Sequence, residues 1–285
     1  MLNRAIVFVH YDKDNLIDDY VYFYLKELQK VSDYIVFVTV VKLSINDINK
    51  LNTICNDVIL RENVGYDFMS YKVGLESFDY QIYDEVVICN DSVYGPLYPL
   101  ENIFNKMSTK RCNFWGMTSG KEISYHLQSY FIVFKKQILH SEAFQSFWDN
   151  VQVLDNKRDI IEKYEIGLTK YLISYGFKPL AYADYKPKLL NVLKAKLKRI
   201  TLYKVIVKLY ILLRGKYKLP NPLAINLTHQ YWKELLIYKQ NPFIKIELLR
   251  DNPVQVKIDD YQDVIKSISN YDIRLIDKHL KRVKA

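Results

Sequence analysis

Two short polar loops hold residue types that could bind a charged ligand. The first is Arg61-Glu62-Asn63-Val64-Gly65-Tyr66-Asp67, and the second is Asn90-Asp91-Ser92-Val93-Tyr94-Gly95-Pro96-Leu97. Carboxylates, amides and hydroxyls of this kind hold ligand hydroxyls or a cation, and an adjacent glycine lets the backbone take angles that a side chain forbids. Each residue alone also has a local reading, with Asp67 capping the helix that follows and Gly65 making the turn. Two such loops, each after a strand, favour a site.

Other chemistries lack their usual groups. Gly116-Met117-Thr118-Ser119-Gly120-Lys121 has three residues between its glycines where a phosphate-binding P-loop has four, and Glu122 stands where a magnesium-holding Ser or Thr is needed. Neither Gly-x-Gly-x-x-Gly nor Gly-x-Ser-x-Gly occurs, and the histidines at 10, 126, 140, 229 and 279 have no paired metal spacing. Cys55, Cys89 and Cys112 form no Cys-x-x-Cys pair, which argues against a cysteine zinc site or a disulfide scaffold.

The elements that must position the loops follow from periodicity. Ala5 to His10, Tyr34 to Val41, Asp57 to Leu60 and Glu85 to Cys89 are short apolar runs of the kind that form buried strands. Helical spacing fills the intervals over Leu16–Val31, Asp47–Ile54 and Phe68–Phe78. The alternation predicts an α/β fold with a mostly parallel sheet. Ligands of such open sheets bind outside the carboxyl ends of the strands, where both loops fall. Further strands are expected over Asn113–Met117 and Tyr130–Phe134, with helices over Leu100–Met107, Ser141–Val151, Arg158–Tyr175, His229–Tyr238 and Tyr261–Val283. A domain over residues 1–184 and a helical C-terminal region over 185–285 are expected.

With 49% hydrophobic residues among 285, the chain has enough apolar side chain for a sizeable core, which excludes general disorder. Its net charge of +9 is localised. Eleven Lys and Arg lie between Lys186 and Lys218, with no acid from Tyr185 to Lys233, so the rest of the chain is close to neutral. Within that segment, apolar residues from Leu189 to Leu213 alternate with Lys194, Lys196, Lys198, Arg199, Lys204 and Lys208. These charges exclude a spanning helix but suit one lying on an anionic membrane surface. A core-packed helical pair with a solvated lysine face is the alternative. A nucleic-acid surface has no supporting motif beyond charge. No export signal is visible at the start, so a cytoplasmic protein, peripheral at the inner face of the bacterial plasma membrane, is expected.

The strings Arg61-Glu62-Asn63-x-Gly65-x-Asp67, Asn90-Asp91-Ser92-x-x-Gly95-Pro96, Phe114-Trp115-Gly116, Gln128-Ser129-Tyr130-Phe131, Tyr164-Glu165-x-Gly167-Leu168 and Asn241-Pro242-Phe243-Ile244-Lys245 resemble the rhamnan synthesis F family of bacterial polysaccharide glycosyltransferases. The resemblance runs from about Val7 to Pro253. It implies a GT-A-like, Rossmann-type sheet and transfer of a sugar, L-rhamnose from dTDP-L-rhamnose by the family's name, to a growing lipid-linked cell-surface polysaccharide. The alternative is a non-catalytic GT-A-like module of the assembly machinery or membrane.

The resemblance also gives roles to residues. Asn63, Gly65, Asp67, Asn90, Asp91, Ser92 and Arg61 are expected to bind the donor nucleotide. The second loop normally carries Asp-x-Asp for a divalent metal. Here Asp91 is its single carboxylate, so Mg2+ or Mn2+ dependence rests on that residue. Asp12-Lys13-Asp14 follows the first strand instead, where helix capping is the expected role. Inverting transfer needs a base for the acceptor hydroxyl; Glu165 is the leading candidate and His126 the second. A glutamate inside a helix is otherwise solvated surface. Trp115, His126 and Tyr130 are expected acceptor or sugar contacts, and Tyr66 and Tyr94 further stacking faces. Arg61, Lys72, Lys121 and Arg158 are the cations expected near the diphosphate. Lys194, Lys198, Arg199 and Lys204 are the expected membrane contacts, together with a polyprenyl-diphosphate-linked acceptor.

Overall fold

The computed structural model describes residues 2–121, 123–187 and 226–284, with Leu197 between them. The basic segment's Lys194, Lys198, Arg199 and Lys204 therefore lie outside the described residues. No helix among the described residues is long and apolar enough to cross a membrane.

Eleven strands are described: β1 (Arg4–His10), β2 (Tyr34–Thr39), β3 (Asp57–Leu60), β4 (Glu85–Asn90), β5 (Val93–Tyr94), β6 (Phe114–Gly116), β7 (Ser119–Gly120), β8 (His126–Leu127), β9 (Phe131–Lys135), β10 (Pro179–Ala181) and β11 (Ile244–Lys245). Seven form the main sheet in the order β10-β6-β9-β4-β1-β2-β3. Its pairs are parallel except where β9 lies antiparallel between β4 and β6. The mostly parallel α/β sheet expected from the apolar runs is thus present, with helices on both faces.

β1 is apolar throughout because it is buried on both sides. Ile6 and Phe8 face a core with Tyr24, Leu28, Phe37 and Trp115. Ala5, Val7 and Val9 face a second core with Phe68, Tyr71, Leu75 and Leu168. The C-terminal region is knit into the first of these cores through Trp232, Leu236, Phe243, Ile246, Ile276 and Leu280. A two-residue antiparallel pairing reinforces this, with Ile244 of β11 opposite Tyr94 of β5 and Lys245 opposite Val93.

Several expected helices differ in detail: the one expected over Leu16–Val31 starts only at Asp19, and the one over His229–Tyr238 is divided at Tyr231 between Leu227–Gln230 and Trp232–Lys239. The run from Arg158 to Tyr175 holds a π turn, Ile161–Glu165, between the helices Lys157–Ile160 and Ile166–Ser174. The stretch from Tyr261 to Val283 is two helices, Tyr261–Ile268 and Arg274–Lys284. Ser269 takes extended angles, and its hydroxyl accepts a hydrogen bond from the Tyr271 amide, a local turn that competes with helix continuation. The break lets Tyr271 pack edge-on against Phe23.

Candidate functional site

The two polar loops meet at the carboxyl edge of the sheet. Gly65 is the N-cap of the helix Tyr66–Glu76 in the left-handed conformation, φ +72°, where a side chain would strain the turn and collide with Met69. Asp67 does not cap that helix. Its carboxylate Oδ2 instead accepts a 2.9 Å bond from Asn90 Nδ2, which ties the loop after β3 to the loop after β4. Asn90 Oδ1 accepts from both the Ser92 amide and the Ser92 hydroxyl, at 3.2 and 2.7 Å. Burial raises the Asp67 carboxyl above its ordinary range, partly offset by Asn90.

The cation at this junction is Lys245. Its Nζ lies 3.2 Å from Ser92 Oγ and 4.1 Å from the centre of the Tyr130 ring. The β5–β11 pairing brings it there from 153 residues along the chain. Gly95, at φ +137°, makes the close approach possible, because a Cβ there would run into the Pro242 carbonyl oxygen and lie 2.8 Å from Phe243 Cδ1. Leu97 N donates to that same Pro242 oxygen at 2.7 Å, and Ile246 N donates to Ser92 O at 3.1 Å. Burial lowers the Lys245 ammonium to about 8, against the opposing pull of Glu165, Glu247 and Asp67.

Glu165 ends the π turn, a helix irregularity frequent at functional sites. Its Oε1 accepts from the Ser129 amide at 2.9 Å and the Ser129 hydroxyl at 3.1 Å, while Oε2 makes no hydrogen bond to a described residue. Tyr71 OH donates to Ser129 O, and Asn90 N donates to Tyr130 O, so the segment presenting Ser129 to Glu165 is anchored to the same loop. The half-buried Glu165 carboxylate, Asp67 and Lys245 share one electrostatic neighbourhood.

Several expected residues serve the scaffold. Arg61 donates to Ser70 Oγ and to the carbonyls of Glu62, Val64 and Tyr66, at 2.7–2.9 Å, so it shapes the loop from within instead of reaching for a phosphate. Lys72 donates to the carbonyls of Asp149 and Val151, Arg158 pairs with Glu162, and Lys121 is exposed. Trp115 has no exposed surface and packs against Phe104 and Phe131. Tyr130 is buried with its hydroxyl on Thr118, and His126 is buried with Nδ1 on Ser124 O. Tyr94 is buried against His279. None of these four rings offers a face to an entering sugar as the chain stands. Of the expected stacking faces, Tyr66 alone is open, at 46% exposure, and Tyr11, after β1, joins it at 52%. Asn63 is exposed on the first loop.

Asp91 engages the end of β1 while still feeling the charge of Asp67. Its Oδ2 accepts from Tyr11 N at 3.1 Å and lies 3.8 Å from His10 Nε2. Burial holds the Asp91 carboxyl well above the usual range and depresses His10 to about 4. Among the described residues, the group of three potential metal ligands that converges is Asp12, Asp18 and His279, not a set around Asp91. Arg282 lies against that group, pairing with Asp12, Asp14 and Asp18. The donor set at Asp91 thus falls short of a protein cage for Mg2+ or Mn2+. Asp12 does not cap a helix as expected: the helix Asp19–Gln29 starts after its N-cap Asp18, and Asp12 Oδ1 instead accepts from the Asp14 and Leu16 amides of the preceding turn at 2.9 and 3.2 Å. A cavity of about 590 Å³ among the C-terminal helices, lined by Leu249, Tyr261, Leu280 and Lys281, contains none of these site residues.

Lys245 and Ser129 were not singled out as site residues by the sequence reading, yet each lies within a string that carried the family resemblance, Asn241–Lys245 and Gln128–Phe131. Their signal is long-range pairing, which local periodicity does not register.

Comparison with known proteins gives the following likenesses. The family described as "Rhamnan synthesis protein F" matches residues 35–201. "Virulence protein VirA" of Vibrio anguillarum is 32% identical over 232 residues, covering 78% of this chain and 71% of that protein. "Uncharacterized protein y4gN" of Sinorhizobium fredii is 29% identical over 169 residues, 56% of this chain and 43% of that protein. Among solved structures, the glycosyltransferase GlyE of Streptococcus pneumoniae aligns over all of this chain and 64% of its own, with 11% identity and a TM-score of 0.47. S. aureus TarS 1-349 aligns over 99% of this chain and 83% of its own, with 12% identity and a TM-score of 0.40.

Proposed function

Because the chain belongs to the rhamnan synthesis protein F family, we propose that it is a nucleotide-sugar glycosyltransferase of polysaccharide synthesis, acting at the joined loops. The observation that carries this reading is the Asn90–Asp67 bond, which fuses the loops after β3 and β4 into one polar surface where open α/β sheets bind ligands. Glu165, held through one oxygen by Ser129, is the base. Its free oxygen takes the proton of the acceptor hydroxyl as that oxygen bonds to the anomeric carbon. The bond from that carbon to the diphosphate breaks, and the electron pair leaves with the phosphate. Asn63, Asp67, Asn90 and Ser92 orient the donor, with Tyr66 and Tyr11 as open aromatic faces.

The donor proposed is dTDP-L-rhamnose and the acceptor a lipid-linked glycan, with inversion at the anomeric carbon. The basic segment is the proposed membrane contact, carrying eleven cations without a compensating acid. Changing Lys194, Lys198, Arg199 and Lys204 to Glu is expected to release the protein from anionic liposomes. Unchanged co-sedimentation would remove the membrane part of the proposal. A non-catalytic assembly module is the second reading, favoured by the single carboxylate of the second loop and its engagement with Tyr11.

The test is thermal unfolding with dTDP, UDP, GDP and CMP and their sugars, with and without magnesium or manganese. A ligand at about 100 times its dissociation constant stabilises the native state by roughly 2.7 kcal/mol. A selective rise in midpoint with dTDP-rhamnose supports the donor site. A flat response across the panel favours the module.

A further inference from the structure

We propose that Lys245 is the cation that receives the leaving diphosphate, the place that a metal ion fills where the loop after the fourth strand carries a full Asp-x-Asp. The inference rests on the glycosyltransferase reading above. Breaking the glycosidic bond to phosphate leaves an electron pair and added negative charge on the terminal phosphate oxygen, and a fixed donor at that point lowers the barrier without a proton transfer. Lys245 meets the requirements by position. Its ammonium lies 3.2 Å from Ser92 Oγ, on the loop where the diphosphate is expected, and on the same side as the Asp67–Asn90 bond. It rests on the face of Tyr130, which fixes its direction while leaving donor hydrogens for an incoming oxygen.

Several other cations near the loops are engaged elsewhere, although Lys157, on the helix Lys157–Ile160, also acts by charge on Asp67 and Lys245. Arg61 is wrapped in loop carbonyls, Lys72 holds the carbonyls after the helix Glu142–Asp149, Arg158 pairs with Glu162, and Arg282 is bound by three aspartates. Asp67 and Glu165 flank Lys245 at longer range than an ion pair, so the ammonium is held by charge yet not closed off by a carboxylate contact. Two half-buried acids and one half-buried cation around a loop with a single aspartate form a receiving site for phosphate oxygen that needs no second metal-binding carboxylate. The β5–β11 pairing and the Gly95–Pro242 approach hold the Lys245 backbone, so its place is set by the fold and not by loop motion.

The experiment is calorimetric titration of the wild-type chain, Lys245→Met and Lys245→Arg with dTDP, UDP and GDP, and with thymidine, uridine and guanosine, in EDTA and in magnesium. A charge-assisted hydrogen bond implies that Lys245→Met weakens the diphosphate by roughly 10- to 100-fold while leaving the matching nucleoside unchanged. Lys245→Arg restores most of the diphosphate affinity, and wild-type binding persists in EDTA. Equal diphosphate affinity in wild type and Lys245→Met, or wild-type diphosphate binding that vanishes in EDTA, overturns the assignment while leaving a donor site in place. No binding of any nucleotide by the wild type overturns both this assignment and the glycosyltransferase reading. Circular dichroism of each variant separates a lost contact from a lost fold.

Discussion

Removing the Lys245 charge should make the protein more stable. Burial lowers that ammonium from 10.5 to about 8, and each pKa unit corresponds to about 1.4 kcal/mol. The unfolded chain therefore binds the proton more tightly than the native one, so the cost of the charge is fully present below pH 8 and fades as pH rises to about 10.5. At pH 7 the cost is about 3 kcal/mol, and at pH 9.5 about 1 kcal/mol. Lys245→Met keeps the length of the side chain over Tyr130, and Ser92 Oγ retains its bond to Asn90. The variant is therefore expected to gain up to about 3 kcal/mol at pH 7, a rise in midpoint of roughly 6 °C, with the gain shrinking at pH 9.5. Urea unfolding of both proteins at the two pH values reads this directly. A variant that is less stable at pH 7, or a gain that does not shrink with pH, would refute the account of a cation held against its solvation preference. The groups that face Lys245 are Asp67 from the helix Tyr66–Glu76, Glu165 from the π turn, Glu247 from the helix Ile246–Asp251 and Lys157 from the helix Lys157–Ile160.

Glu165→Gln should keep donor affinity by calorimetry while sugar transfer falls roughly 10²- to 10⁴-fold, the range for a lost general base; transfer at the wild-type rate would remove Glu165 from that role. Gly95→Ala forces a side chain into the Pro242 carbonyl at φ +137°, so a loss of roughly 1–3 kcal/mol in urea unfolding is expected, with weaker diphosphate binding as Lys245 is displaced. An unaltered variant would show that the β5–β11 approach is not tight. Arg282→Met leaves Asp12, Asp14 and Asp18 facing one another and should cost about 3 kcal/mol at pH 7. Despite its partial burial, bonds from Arg282 and neighbouring amides hold Asp12 below its ordinary range, so that stability is present above pH 4 and lost as pH falls through the folded value. The penalty should therefore be smaller at pH 3 than at pH 7, and a pH-independent penalty would contradict the ion-pair account.

The sheet was legible because its strands are buried on both faces and so read as unbroken apolar runs; β1 through β4 fall within a residue or two of their expected bounds. The two loops were legible because glycine and paired polar residues follow a strand directly. The site was only half legible. Asp67 looked like a helix cap, since its sequence neighbours give no hint of Asn90, 23 residues away. Trp115 and Tyr130 looked like stacking faces, since type alone does not distinguish a ring that packs a core from one that meets a ligand. Lys245 lacked any periodic signature because two-residue strands are too short to carry one.

The pairing of β5 with β11 also sets when the site comes into being during synthesis. Ser92 and Lys245 are separated by 153 positions, so the ribosome has to deliver most of the polypeptide before ammonium and hydroxyl can meet. Contacts of such wide separation form late, after the local strand-helix units have collapsed. A nascent chain halted before Ile244 carries the residues of β1 to β4, Asp67 and Asn90 but not Lys245. The joined loops therefore gain their cation late, with a segment that also adds Phe243, Ile244 and Ile246 to the hydrophobic core.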